Sequence, residues 1–286
     1  MSRVVALLLV TRAKGVEMVT NPMDVRNPVP GLPSDYGMPY EEVTVTTADG
    51  LKLVGWYVPS ENGAVVIAQH GYKGGRNNML YDADLLHRHG YGVLLSTIRA
   101  HDKSEGELIT FGQAEMQDME AWYQYLLTRP DVDPDKIGIL GESMGGAISI
   151  RYAALNPNIR AVAVHSAFSS VDAAAGKAVE QFAGLPRFPF APLIVWWGEQ
   201  TAGYDSSQID TTRWIGKLSP RPVLIMMGGQ DEIIPAESGQ WLYDAAGEPK
   251  ELWFVPEAMH HGIPEVAPEE YERRVSGFFD KALLGK

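Results

Sequence analysis

The stretch Lys136-Ile-Gly-Ile-Leu-Gly-Glu-Ser-Met-Gly-Gly146 is the most informative segment of this chain. A short apolar run, Ile137 to Leu140, leads into Gly141-Glu142-Ser143-Met144-Gly145, and a helix-like stretch from Ala147 to Ala154 follows. A strand, G-x-S-x-G and a helix in this order predict a nucleophile elbow, a sharp turn that exposes a serine hydroxyl above a sheet. Glycines two residues either side of the serine are required because larger side chains would collide in so tight a turn. Ser143 is therefore the candidate covalent nucleophile.

Outward from the elbow, the chain alternates between buried strands and amphipathic helices. Val65 to Ala68 is a continuous apolar run, as expected for a strand buried on both faces. Val43 to Thr47 and Leu51 to Val58 alternate apolar and polar residues around an Ala48-Asp49-Gly50 turn, which predicts an antiparallel hairpin. We therefore predict an α/β fold with a mostly parallel sheet of about eight strands and helices on both faces. The other predicted strands are Tyr91 to Ser96, Val162 to Val164, Val223 to Met227 and Leu252 to Val255, and the other predicted helices are Met79 to His89, Ala114 to Leu127, Ser238 to Ala246 and Pro268 to Leu284.

Two segments interrupt this alternation. Residues 1–40 are predicted as an apolar N-terminal helix followed by a connector that holds five of the 19 prolines, so little regular structure is expected there. Within the predicted main domain, residues 41–286, the spacing between about 168 and 218 is too long for one crossover helix. We expect a short helical cap over the strand ends. Any one of its aromatic side chains is expected to pack the cap onto the body, whereas as a group beside a nucleophile they also suggest an apolar binding wall. These are Phe182, Phe188, Phe190, Trp196, Trp197 and Trp214.

Composition excludes several classes of function. Of the 286 residues, 45% are hydrophobic, which is enough for a sizeable core. The formal net charge of −12 argues against a nucleic-acid partner, which would need a basic face. The absence of cysteine excludes disulfides, thiolate catalysis and cysteine metal sites.

A short apolar run lies near the N-terminus. Val4 to Val10 is a run of seven apolar residues between Arg3 and Arg12, too short to span a bilayer. No Ala-x-Ala cleavage site follows it, which argues against a secretory signal. The alternatives are a helix packed on the chain's own body or on a second subunit, and a shallow anchor on a membrane surface. Residues 1–12 are thus a candidate for peripheral membrane contact or self-association.

A serine nucleophile needs a base, and histidine is the usual one. In elbow-type sites the acid and then the base follow the serine along the chain, each after a late strand. His260 and His261 both lie in the loop after the last predicted strand, and Asp231 follows the strand before it, with Glu232 as the alternative acid. Asp231 would hold the tautomer of the imidazole and stabilise the imidazolium.

The third requirement is a pair of donors for an oxyanion. One should be the backbone N–H of Met144, the residue after the nucleophile, at the start of a helix whose dipole favours negative charge. The other should come from a loop after an early strand, and the N–H of Tyr72 is the candidate. In that loop Gly71 allows the backbone to approach the substrate, and His70 orders the loop. A phosphate loop is disfavoured because the Lys-Ser/Thr of a P-loop is missing.

From about residue 40 onward the chain resembles the α/β-hydrolase superfamily, and within it the serine esterases and prolyl-oligopeptidase-like hydrolases with a His-Gly oxyanion loop. The resemblance implies the α/β-hydrolase fold and favours His260 over His261, because the family's base usually follows a small and then a variable loop residue. Two segments depart from the family pattern: Thr97 to Ser104 replaces the usual Asp-x-Arg-Gly-His-Gly-x-Ser, and His165-Ser166 stands where relatives often carry Asp or Gly. The matching segments are His70-Gly-Tyr-Lys-Gly-Gly-Arg76, Gly141-Glu-Ser-Met-Gly-Gly146, Gly228-Gly-Gln-Asp231 with Pro235, Ala258-Met-His260 and Tyr271 to Phe279.

These features predict a serine carboxyl-ester hydrolase that works through an acyl-enzyme on short- to medium-chain or aryl esters. Its partner would be a small-molecule ester, and neither a metal nor an organic cofactor would be needed. The alternatives are a peptidase, amidase or thioesterase of the same fold, and a non-catalytic binding protein. Ser143 argues against haloalkane dehalogenases and epoxide hydrolases, which place an aspartate at the elbow.

Overall fold

The computed structural model of the chain describes residues 3–26 and 30–286. Met1 and Ser2, at the start of the candidate membrane or self-association segment, lie outside the described residues, as do residues 27–29 with Pro28 of the predicted connector. The described residues build an eight-stranded sheet. Its strands are β1 (Glu41–Thr46), β2 (Lys52–Val58), β3 (Val65–Gln69), β4 (Gly92–Ser96), β5 (Ile137–Glu142), β6 (Ala161–His165), β7 (Val223–Gly228) and β8 (Lys250–Val255).

The strand order is β1-β2-β4-β3-β5-β6-β7-β8. β1 and β2 form the predicted antiparallel hairpin, and β2 also runs antiparallel to β4. From β4 to β8 all neighbouring strands are parallel. The predicted mostly parallel sheet of eight strands is thereby confirmed. The order reverses at β3, which lies between β4 and β5, and ligands of open α/β sheets bind at the carboxyl ends of strands beside such a reversal.

The described residues also form ten α-helices. They are α1 (Arg3–Val19), α2 (Leu80–Arg88), α3 (Glu115–Leu126), α4 (Met144–Leu155), α5 (Val171–Ala183), α6 (Arg187–Ala202), α7 (Thr212–Ile215), α8 (Glu237–Ala245), α9 (Ile263–Val266) and α10 (Pro268–Phe279).

The two faces of the sheet bury two separate apolar cores. On one face, Val65 and Ile67 of β3 share a core with Trp122 of α3 and with residues of α4 and α8. On the other face, Val66 and Ala68 share a core with residues of α2 and α10. Alternate residues of one strand point to opposite faces, so the continuous apolar run of β3 follows from burial on both sides. Helices on both faces are thus confirmed.

Some predicted boundaries differ from the structure. α4 begins at Met144, directly after Ser143, whereas the apolar pattern placed its start at Ala147. The last α-helix ends at Phe279 and continues as a π-helical segment, Asp280–Leu284. The connector contains two 3₁₀ turns, Met23–Val25 and Pro33–Tyr36. Local pattern does not determine where a helix begins or changes its hydrogen bonding, because neighbouring elements decide this.

The N-terminal helix α1 packs against α6, inside the range predicted as the cap. The two backbones approach closely, because a Cβ atom on Gly15 would lie 2.6 Å from the Ile194 carbonyl oxygen, and one on Gly198 would lie 2.7 Å from Met18 Cε. Among the described residues no helix is long and apolar enough to cross a membrane. The domain division at residue 40, the cap at about 168–218 and the membrane or self-association role of residues 1–12 stay predictions.

Candidate active site

Ser143 lies in the tight turn between β5 and α4, at φ 52° and ψ −120°. This left-handed backbone is unfavourable for a residue with a Cβ and is found mainly where the surroundings enforce it. The enforcement is visible at the flanking glycines: a Cβ atom on Gly141 would lie 2.7 Å from the Gly145 carbonyl oxygen. The Ser143 N–H also donates to the His165 carbonyl oxygen at 2.9 Å, which anchors the turn to β6. The turn therefore holds the Ser143 hydroxyl in one position at the carboxyl end of β5.

His260 stands beside this hydroxyl. Its Nε2 lies 2.9 Å from Ser143 Oγ, and its Nδ1 lies 2.7 Å from Asp231 Oδ2. All three side chains are buried. Serine, histidine and aspartate, separated by 117 and 29 residues along the chain, thus form one hydrogen-bonded row. The arrangement leaves Nε2 free to take the proton of the hydroxyl while the carboxylate holds Nδ1–H.

The two acid candidates of the β7 loop have different contacts. Asp231 Oδ1 accepts the N–H groups of Ile233 and Ile234 at 2.9 and 2.7 Å, which fixes the carboxylate while its other oxygen contacts His260. Glu232 does not reach the ring; its Oε2 accepts the backbone N–H of His260 at 3.2 Å. Asp231 therefore orients the imidazole, and Glu232 holds the loop that carries it.

His261, the alternative base, points elsewhere. Its Nδ1 hydrogen-bonds Oε1 of Glu142, the residue before the serine. That hydrogen bond raises the pKa of His261, while partial burial acts in the opposite sense. For Glu142, burial pushes the pKa upward, but the hydrogen bond from His261 and the charges of the neighbouring histidines 165, 261 and 260 outweigh it, so the pKa of this carboxyl is lowered. His260, and not His261, is the histidine in contact with Ser143.

The loop after β3 brings its backbone against the serine. A Cβ atom on Gly71 would lie 3.1 Å from the Ser143 Cβ, so this position leaves little room for a side chain. His70 is buried and its Nδ1–H donates to the Gly71 carbonyl oxygen at 2.8 Å, which orders the loop, and burial lowers the pKa of the ring. The N–H groups of Tyr72 and Met144 donate no hydrogen bond to another described residue. Their role as oxyanion donors stays a prediction.

His101 is a buried residue that supports the loop after β3. Its Nδ1–H donates to the Arg99 carbonyl oxygen at 2.7 Å, and its Nε2 accepts the N–H of Lys73 at 3.0 Å. Burial holds its pKa well below the ordinary value, so the ring is neutral and can serve as this acceptor. It lies in the segment that departs from the family pattern, after β4 and hence beside β3. Strand order in the sheet, rather than proximity in sequence, makes it a neighbour of the loop after β3.

An apolar cavity of about 590 Å³ opens onto Ser143. Its walls come from α1, the loop of Tyr72, α5 and α6. Of the predicted cap aromatics, Phe182 and Phe190 line it. The other four are not among its lining residues; Trp197, for example, packs against α1 at Gly15. The apolar lining residues include Val10, Met18, Phe111, Phe168, Val171, Ala174, Ala175, Ala178, Val179, Ile194, Ile233 and Ile234.

No group of three or more His, Asp or Glu side chains within residues 3–26 and 30–286 is arranged to hold a metal ion. A reaction that needs neither a metal nor an organic cofactor stays a prediction, because it concerns the chemistry and not the arrangement of these side chains.

Known proteins with similar sequences or structures support this description. An uncharacterized Mycobacterium tuberculosis protein is 31% identical over 79% of this chain and 73% of its own length. An Aspergillus aculeatus thiohydrolase is 22% identical over 78% of this chain and 87% of its own. A solved Pyrococcus furiosus esterase superposes with a TM-score of 0.79 at 28% identity, over 93% of this chain and 98% of that one. The family model of the alpha/beta hydrolase fold matches residues 64–212. The chain therefore belongs to the α/β-hydrolase superfamily.

Proposed function

We propose that the chain is a serine carboxyl-ester hydrolase that acts through an acyl-enzyme on short- to medium-chain or aryl esters. The observation that carries the proposal is the row of hydrogen bonds from Ser143 Oγ through His260 to Asp231, at 2.9 and 2.7 Å. A serine hydroxyl is a weak nucleophile by itself, and a histidine in contact with it supplies the base it needs. The likeness to the Pyrococcus furiosus esterase supports the same assignment.

In the proposed acylation step, Ser143 Oγ attacks the ester carbonyl carbon while His260 Nε2 takes the hydroxyl proton. Asp231 holds Nδ1–H and stabilises the imidazolium that forms. The N–H groups of Met144 and Tyr72 donate to the oxyanion, and the start of α4 adds its dipole. His260 then gives the proton to the leaving alcohol as the C–O bond breaks. A water molecule, deprotonated by His260, repeats the sequence and releases the carboxylic acid.

The cavity is suited to a substrate whose apolar acyl or aryl group lies beside Ser143. Its walls are formed mainly by aliphatic and aromatic side chains, which gain from contact with hydrocarbon and offer a polar sugar little to bind. On the side of the cavity that α5 lines, the small side chains of Ala174, Ala175 and Ala178 leave room for a substrate group.

Hydrolysis of p-nitrophenyl acetate, butyrate, octanoate and palmitate by the wild type and by Ser143→Ala tests this function. We expect turnover of the shorter esters and a loss of at least about 10⁴-fold in kcat for the variant, because the covalent step is removed. His260→Gln should be comparably inactive, whereas Ser207→Ala, at an exposed serine outside the site, should retain full activity. A Ser143→Ala variant that still hydrolysed butyrate at the wild-type rate would exclude the mechanism.

A thioester is the second candidate substrate class, because the Aspergillus aculeatus relative is a thiohydrolase. The same attack on a thioester carbonyl would release a thiol, which is a better leaving group than an alcohol. Parallel assays with butyryl thiocholine and butyryl choline separate the two classes, since the acyl group and the cationic head are shared.

A further inference from the structure

We infer that Glu142 and His261 form a clamp that joins the elbow to the loop that carries His260, here called the base loop. The clamp positions His260 against Ser143. This inference rests on the proposed function, since it concerns the geometry of the same serine and histidine. It assigns His261 a positioning role.

The clamp runs alongside the Ser143–His260 contact. Glu142 precedes Ser143, and His261 follows His260, so two adjacent residues of one loop contact two adjacent residues of the other. The rings of His260 and His261 are 4.5 Å apart, in an edge-to-face arrangement. A shift of the base loop that lengthened one contact would also strain the other. The clamp therefore restricts the displacement that would take His260 Nε2 out of reach of the hydroxyl.

The hydrogen bond with His261 stabilises the Glu142 carboxylate more than it would a surface carboxylate, because Glu142 is buried. Its side chain is 7% exposed, whereas that of His261 is 59% exposed. Among the described residues, His261 is the group that hydrogen-bonds the Glu142 carboxylate. A buried carboxylate without a partner is strongly unfavourable, so loss of His261 would leave an unpaired charge next to the nucleophile. The raised pKa of His261 and the lowered pKa of Glu142 agree with an ionic pair.

Other contacts also hold the base loop, but they act on its backbone. The Ser166 hydroxyl donates to the His260 carbonyl oxygen at 2.6 Å, and Glu232 accepts the His260 N–H. Neither crosses to the elbow residue before the nucleophile. Glu142 and His261 are also absent from the lining of the acyl cavity, so their loss should affect the chemical step more than substrate binding.

The test compares wild type, His261→Ala, Glu142→Gln and the double variant, with kcat and KM for p-nitrophenyl butyrate. We expect His261→Ala to lower kcat about tenfold, equivalent to about 1.4 kcal/mol of transition-state energy, with KM essentially unchanged. The double variant should regain part of the loss, because a neutral glutamine side chain at position 142 no longer leaves a buried charge unpaired. His261→Asn, whose amide can still donate to Glu142, should retain more activity than His261→Ala. It also serves as the second variant if His261→Ala does not fold.

His89→Ala is the matched control, since His89 contacts Glu272 at 3.1 Å in another histidine–carboxylate pair remote from the site. It should retain the wild-type kcat. The rate at which a fluorophosphonate labels Ser143 provides a second readout and should fall with kcat in His261→Ala.

Wild-type kcat and labelling rate in His261→Ala, or strictly additive losses in the double variant, would overturn the clamp and leave the proposed function standing. A wild type that neither hydrolyses the ester nor reacts with the phosphonate overturns the proposed function, and the positioning role falls with it.

Discussion

Gly145 lies directly against the carbonyl oxygen of His70: a Cβ atom on Gly145 would be 2.3 Å from that oxygen. The elbow after β5 and the loop after β3 are thus in backbone contact at the reversal of the strand order. A glycine is required here by the neighbouring chain, independently of its own dihedral angles. This contact sets the spacing between Ser143 and the proposed oxyanion donor of Tyr72.

Gly145→Ala should therefore separate the two loops. We expect the free energy of unfolding to fall by about 1–3 kcal/mol, because the added methyl group collides with backbone that cannot rotate away. The kcat for p-nitrophenyl butyrate should fall as well, since both proposed oxyanion donors move. Urea unfolding and kcat for p-nitrophenyl butyrate measure the two effects.

Gly277→Ala is the control for this substitution. Gly277 lies in α10, and apart from the adjoining turns of that helix no described atom is within 4 Å of the position its Cβ would take. Alanine there should stabilise the protein by up to about 1 kcal/mol through its helix propensity. A Gly145→Ala protein as stable as the wild type would show that the loops are not in the contact described.

The second prediction concerns the acyl cavity. Ala178 of α5 lines it, and a phenylalanine at this position would fill part of its volume. We expect Ala178→Phe to lower kcat/KM for p-nitrophenyl octanoate about tenfold or more relative to that for the acetate. Glu180→Phe, exposed on the same helix, should leave the ratio unchanged. If both variants kept the wild-type ratio, the acyl chain would have to lie elsewhere.

The third prediction concerns His101 and the loop after β3. His101→Phe removes the acceptor of the Lys73 N–H, one residue after the proposed donor of Tyr72. Because this part-buried hydrogen bond contributes about 0.5–1.5 kcal/mol to holding the loop, we expect the loop to rearrange and kcat to fall. His101→Gln, whose amide oxygen can replace Nε2 as acceptor, should recover part of the rate. Equal kcat values for wild type and His101→Phe would mean that the loop is held by other contacts.

The fourth prediction is acid destabilisation through His165. Burial lowers the pKa of His165 to about 4. The unfolded chain therefore binds a proton to this residue more readily than the folded chain does, and stability falls as the pH drops below the unfolded pKa of about 6.5. Between about pH 7 and pH 5, this residue should account for about 2 kcal/mol of lost unfolding free energy.

Urea unfolding of wild type and His165→Leu at both pH values checks this contribution. The wild type should lose more stability than the variant on acidification, whatever their difference at neutral pH. The same loss in both proteins would assign the acid sensitivity to other groups.

Local patterns were sufficient to predict much of the fold. Three features each have a sequence signature that spans only a few neighbouring residues: the doubly buried strands, the antiparallel hairpin and the glycine-flanked Ser143. The order of acid and base after late strands then pointed to Asp231 and to the pair His260 and His261, and the superfamily resemblance favoured His260. The structure brings Ser143, His260 and Asp231 together in a single hydrogen-bonded row. Their catalytic roles stay predictions.

Features that depend on long-range contacts could not be predicted in this way. The apolar run of α1 does not reveal that Val10 and Met18 would line a cavity shared with Ser143, since that follows from packing against α6. Likewise, two adjacent histidines are equivalent in sequence until the backbone turns one toward Ser143 and the other toward Glu142.

The proposed function depends above all on the covalent acylation of Ser143. This step can be followed by rapid mixing with p-nitrophenyl butyrate, acid quenching and peptide mass spectrometry. We expect a butyryl adduct on the peptide that contains Ser143, formed in wild type and absent in Ser143→Ala. Turnover of the ester in wild type together with an adduct on a different residue, or sustained turnover in Ser143→Ala, would contradict it.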